Sequence, residues 1–124
     1  MKGSSQDWYG WWMVGGKKQD LLLNLIVDVT FVYGVSVDKV GLYIVQGSND
    51  ENSNKIEFIK KYLAREDVQR FSGDVKRINP NKKKSIVTIT GMYGINKDEC
   101  TDGSYELKGK YGQLGKDPGS ENKL

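Results

Sequence analysis

Histidine is absent from the chain. That removes Ser-His-Asp and Cys-His nucleophile arrangements and imidazole metal sites. Cys100 is the one thiol, and Asp98, Glu99 and Asp102 crowd it in sequence. Negative neighbours favour the thiol over the thiolate, the wrong direction for a nucleophile. Asp50-x-Asn52-x-Asn54 has the oxygen spacing of a calcium loop, but Lys55 stands where glycine is needed and Lys61 where glutamate is needed. Asp98-x-Cys100-x-Asp102-Gly103 supplies the glycine and misplaces a cysteine. Both read as polar turns. Carboxylates remain for acid–base work, Asp28 with Glu106 for example, but no local pattern brings that pair together. No glycine-rich phosphate loop precedes a helix. The residue types therefore point away from an enzyme and call for no cofactor or metal.

Binding chemistry is better represented. Trp8, Tyr9, Trp11 and Trp12 flank Gly10 in one short run. Strand alternation puts Trp8 and Trp12 on one face and Tyr9 and Trp11 on the other, so a large ring is left near the surface. These four are the expected ligand-facing residues, as a stacking platform for sugars or bases or as an apolar wall. A second chemistry is phosphate contact through Lys76, Arg77, Lys82, Lys83 and Lys84. Residues 1–62 carry seven basic and seven acidic groups, whereas residues 63–124 carry twelve and nine. The overall charge of +3 is mild, so this basic segment is the local exception.

The elements that must position these groups are mostly strands. Asp7 to Val14 forms the aromatic strand, and Gly15-Gly16-Lys17-Lys18 a turn. Leu21 to Val37 is predicted to be one long strand: its odd positions from Leu21 to Val35 are all apolar or aromatic, which puts that face in the core and leaves the other partly covered. Gly34 marks a bend, and Asp38-Lys39 turns the chain into a partner strand over Val40 to Gln46. After the polar loop Gly47 to Asn54, Asn54 and Glu57 have capping-box spacing. Ile56, Ile59 and Leu63 repeat at helical intervals, which predicts a helix over about 54–71. Short strands follow at Asp74 to Ile78, Ser85 to Tyr93 and Ser104 to Tyr111. Asn79-Pro80-Asn81 and Asp102-Gly103 are turns.

The chain of 124 residues suits one domain over 7–114, with a disordered segment at 1–6 and a flexible tail at 115–124. Fifteen glycines and two prolines suit strands joined by tight turns. The fold class is mainly β: a small antiparallel barrel or curled sheet, lipocalin-like or OB-like, with one helix. The strand-strand-strand-helix-strand-strand order is shared with oligonucleotide-binding barrels. One cysteine excludes an intramolecular disulfide scaffold, and no run of about 18 apolar residues can span a membrane as a helix.

Asp7-Trp8-Tyr9-Gly10-Trp11-Trp12 resembles the opening strand of uncharacterised cell-surface lipoprotein domains of Gram-positive bacteria. Gly91-Met92-Tyr93, Asp98-Glu99 and Gly103-Ser104-Tyr105 resemble their closing strands. The Arg-Pro-Trp-Gly continuation of those domains is absent here. Gly10-x-Trp12 is also similar to the first-strand motif of lipocalin-like barrels. The resemblance implies an exported bacterial protein at the cell surface after leader removal, the alternative being cytoplasmic. The expected function is a non-enzymatic binding or interaction domain for a small ligand, glycan or protein. The alternative is a single-stranded nucleic-acid module.

Overall fold

The computed structural model describes residues 7–78 and 86–110. It is a single antiparallel sheet of nine strands: β1 Asp7–Val14, β2 Lys17–Asn24, β3 Ile26–Val27, β4 Phe31–Val37, β5 Leu42–Asp50, β6 Lys55–Tyr62, β7 Val68–Ile78, β8 Ile86–Ile95 and β9 Gly103–Lys110. Their order is β2-β1-β9-β8-β7-β6-β5-β4-β3. The two terminal strands of that order are consecutive in the chain, separated by Leu25 alone. The sheet therefore curls until one run, 17–27, serves both ends: its first part pairs β1 and its second pairs β4.

Breaking a strand at Leu25 leaves backbone groups that need partners. The Trp8 indole Nε1–H donates to the Leu25 carbonyl at 3.3 Å, and the Tyr43 hydroxyl accepts from the Asn24 N–H at 3.0 Å. Gly34 lets β4 approach this break, because a Cβ there would lie 2.7 Å from the Asn24 carbonyl oxygen. Gly15 and Gly16 take positive φ of 60° and 82° in the two-residue hairpin that joins β1 to β2, a turn closed to most L side chains.

The concave side holds the core. Leu21, Leu23, Leu25, Val27, Val32, Tyr43, Val45, Ile56, Phe58, Phe71, Ile89, Tyr93, Tyr105 and Leu107 are buried there with Trp8. Phe58 stacks on Phe71 at 4.9 Å, and Tyr105 meets Phe71 edge-on at 5.1 Å. One register row across the sheet reads Trp12, Tyr105, Gly91, Gly73 and Ile56. The Tyr105 hydroxyl reaches the space over Gly73, where a Cβ would lie 2.9 Å from it, and Gly91 lets the β7 backbone approach closely, so large and small side chains interdigitate.

The predicted helix over 54–71 is not formed; that segment is β6, a turn and the first part of β7. Ile56, Phe58 and Tyr62 face inward at strand spacing, with Lys60 between them. A lysine at a core position hides the alternation, and an internal carboxylate explains its tolerance. Asn54, expected as a helix cap, sits in the β5–β6 turn with φ of 58°. Among the described residues there is no helix, so the strand–helix order of an OB-like barrel is absent.

The predicted strand from Leu21 to Val37 is also divided. Odd residues point inward as far as Val27. The turn at Asp28 to Thr30, closed by Asp28 N–H donating to Phe31 O, then shifts the phase. In β4 the inward residue is Val32, while Phe31, Tyr33, Val35 and Val37 point out. A one-residue change of phase reverses every side chain after it. Cys100 lies in the loop between β8 and β9, its thiol near the Arg70 carbonyl. The turn 79–81, the basic run 82–84, Tyr111 and both terminal segments lie outside the described residues. No described helix is long and apolar enough to cross a membrane.

Candidate functional site

The aromatic strand divides as alternation requires, and its four rings do not share one surface. Trp8 is fully buried. Trp12 is half-buried against the core, 5.0 Å from the Tyr93 ring. Tyr9 is 60% exposed, between Leu22 of β2 and Lys108 of β9. Trp11 lies outside between Asp20 and Glu106, with the Lys18 ammonium 4.3 Å above its ring. Of the basic candidates, Lys76 and Arg77 are both exposed, but as neighbours in β7 they alternate across the sheet. Asp28 and Glu106 are not brought together: Asp28 sits in the β3–β4 turn and Glu106 on β9 between Trp11 and Thr90.

A titratable cluster lies inside the sheet. Lys60 is buried, and its ammonium donates to the Asp38 carboxylate at 3.2 Å and the Tyr62 hydroxyl at 2.8 Å. The Tyr62 hydroxyl donates in turn to the same Asp38 oxygen at 2.5 Å. The ammonium also lies 4.4 Å from the Tyr43 ring centre and 4.6 Å from that of Tyr62. Burial lowers the pKa of Lys60, and Asp38 opposes that shift. Burial pulls Asp38 upward, but hydrogen bonds from Tyr62, Val40 and Lys60 outweigh it and hold the carboxylate below its ordinary range. Burial and then Asp38 push Tyr62 upward. Each member satisfies another, and Asp38 also accepts from the Val40 and Gly41 N–H groups of its turn. This cluster secures the β4–β5 turn to β6.

The outer face of β3, β4 and β5 is the least expected surface. Phe31 is 60% exposed, Val35 67% and Val37 68%; Tyr33 and Leu42 are also exposed. Register places Ile26 beside Tyr33, Ile44 beside Val35, and Leu42 beside Val37. A shallow groove of about 460 Å³ runs over Ile26, Tyr33, Val35 and Ile44. The outward residues from Ile26 through Phe31–Val37 to Leu42–Ser48 include no charged side chain; the next outward residue of β5 is Asp50. Sequence reasoning missed this surface because it assigned Phe31, Tyr33 and Val35 to the core. The available signal was Asp28-Val29-Thr30, a polar interruption in which strand phase can change.

The charged surface begins with Asp50 at the end of β5 and continues on β6. Glu57 faces out in the row of Phe31 and Ser48, and Lys61 in the row of Val35 and Ile44. Beyond it, a mixed concavity of about 610 Å³ is lined by Asp50, Lys55, Ile56, Glu57, Asp74 and Met92, among others. The Lys55–Asp74 ion pair bridges part of it.

No family model matches the chain, and neither a curated protein nor a solved structure matches it.

Proposed function

We propose that this chain is a non-enzymatic interaction domain that holds an apolar partner on the outer face of β3–β5. The observation that carries the reading is the uncharged row of exposed Phe31, Tyr33, Val35 and Val37. Apolar residues scattered singly on a surface are ordinary, but a contiguous, charge-free set on one sheet face is characteristic of a contact surface. The concave side is occupied by the chain's own rings, which favours recognition outside the sheet over a ligand held within it. Tyr9 and Leu22, exposed side by side on β1 and β2, extend the apolar surface on the same outer side.

The test is titration with the apolar dye bis-ANS. The native protein is expected to bind it, and V35K/V37K to lose most of the fluorescence gain while keeping the far-ultraviolet spectrum of the native fold. Equal binding by both proteins would refute the reading. Loss of binding in Y9A or W11A instead would move the site to the aromatic strand.

A second reading is single-stranded nucleic acid. It is favoured by the outer register row in which Tyr9, Lys108, Thr88 and Lys76 lie side by side, with Trp11 next along β1. The adjacent row of Asp20, Glu106 and Asp74 opposes it electrostatically. Oligonucleotide binding that weakens steeply with salt would establish this alternative. The opening-strand resemblance supports export to a bacterial cell surface, testable by fractionation.

A further inference from the structure

We infer that the partner on the outer face of β3–β5 is a second copy of this chain, packed with its β4 antiparallel to the first. The inference rests on the interaction-surface reading above and goes further by naming the occupant.

Two observations select it. The first is size. The exposed portions of Phe31, Tyr33, Val35, Val37 and Leu42 amount to roughly 500 Å² of apolar surface, taking about 150–200 Å² for a whole side chain of this kind. A stable pair buries about 800 Å² on each side, part of it a polar rim. The apolar face with its edge residues Gln46, Ser48, Glu57 and Lys61 matches that scale.

The second is charge order. Along β6 the flank of the patch carries Glu57 in the Phe31 row, Ile59 in the Tyr33 row and Lys61 in the Val35 row. At the Phe31 end the next row sets Asp50 beside Lys55, two charges that offset each other, with Asp28 beyond; Lys39 lies at the Val37 end. The patch is therefore acidic at one end and basic at the other. A two-fold axis in the interface, perpendicular to the strands, lays β4 on the partner's β4 in reverse. Glu57 of each copy then faces Lys61 of the other, and Asp28 faces Lys39. A two-fold axis along β4 would instead set Asp28 near Asp28 and Lys39 near Lys39, and would carry the two β6 flanks to opposite sides, where Glu57 and Lys61 find no partner. Sheet faces pack about 10 Å apart with strands within about 30° of alignment, which suits rows of valine and ring side chains. Closed two-fold pairing uses one self-complementary patch and requires no second surface.

Sedimentation velocity on the full chain from 1 to 200 µM, with bis-ANS binding in parallel, tests the inference. The native protein is expected to pass from monomer to dimer, and V35K to weaken the dimer at least 30-fold. E57K and K61E should each weaken it several-fold, and E57K/K61E should restore it, since the reversed charges again face each other. All four variants change outward side chains, so retained native circular dichroism shows that the fold persists. A native protein that stays monomeric yet loses dye binding in V35K overturns the second copy and leaves the interaction surface standing. A monomer whose dye binding is indifferent to V35K overturns both. A dimer in which the double charge variant is no better than the single ones overturns the antiparallel arrangement.

Discussion

Replacing Asp38 by asparagine separates charge from shape in the interior cluster. Asparagine keeps an oxygen to accept from the Val40 and Gly41 N–H groups, so the turn remains capped. What is lost is the negative charge 3.2 Å from the Lys60 ammonium, and an amide N–H₂ is left pointing at two donors. Removing one member of a fully buried ion pair costs about 3–5 kcal/mol. The Lys60 side chain is 6% exposed and that of Asp38 31%, so water screens part of the loss and about 2–3 kcal/mol is expected. The pH dependence supplies the diagnostic. Burial already holds Lys60 below its ordinary value of 10.5, and without Asp38 it falls further. Between the folded pKa and 10.5 the unfolded chain binds more protons, so the stability of D38N rises with pH over that range. Urea unfolding of native protein and D38N at pH 7 and 9.5 should show the deficit shrinking at the higher pH. D38N/K60M removes the stranded charge and should recover most of the loss at pH 7. A deficit under about 0.5 kcal/mol, or one that grows toward pH 9.5, would refute the buried pairing of Lys60.

Two further substitutions probe the ring-on-glycine packing. Among the described residues the buried Tyr105 hydroxyl has no hydrogen-bond partner, and burial pushes its pKa upward. Y105F removes that desolvated group and should raise unfolding stability by about 1 kcal/mol, measured by urea titration; a loss of stability would show that the hydroxyl is satisfied. A Cβ at Gly91 would stand 1.9 Å from the Ser72 carbonyl oxygen and 2.6 Å from Gly73 Cα, both backbone atoms. G91A should therefore cost about 3 kcal/mol or more, read as a lowered Tm; an unchanged Tm would contradict the close approach of β7 and β8.

Much of the fold was legible. Asp7–Val14 begins and ends where its composition predicts, because Gly15-Gly16 is a strong local signal for a two-residue hairpin. The mainly β, curled-sheet expectation is met. The helix at 54–71 was misread because the features that make β6 a strand are not local. Lys60 points inward only because Asp38, twenty-two residues away, meets it there. The phase change between β3 and β4 was hidden for a similar reason. Leu21 to Val35 offers apolar residues at odd positions throughout, and which of them face the core depends on the Val27–Val32 pairing across the turn. The candidate surface followed from that error: residues assigned to the interior are the ones left outside. For the aromatic strand, alternation separated Trp8 and Trp12 from Tyr9 and Trp11, but not which pair entered the core. The Trp8 bond to Leu25 decides that, and it spans seventeen residues.

The central claim is that recognition takes place on the outside of β3–β5. A methyl NMR dilution series, from about 1 mM, near the scale where micromolar pairing is saturated, to tens of micromolar, tests it residue by residue. The account predicts concentration-dependent shifts at Val35, Val37, Leu42 and Ile44, with Leu23, Val45 and Ile89 unmoved in the core. Shifts confined to residues around Trp11 and Lys76, or none at any concentration and none on adding an apolar dye, would contradict it.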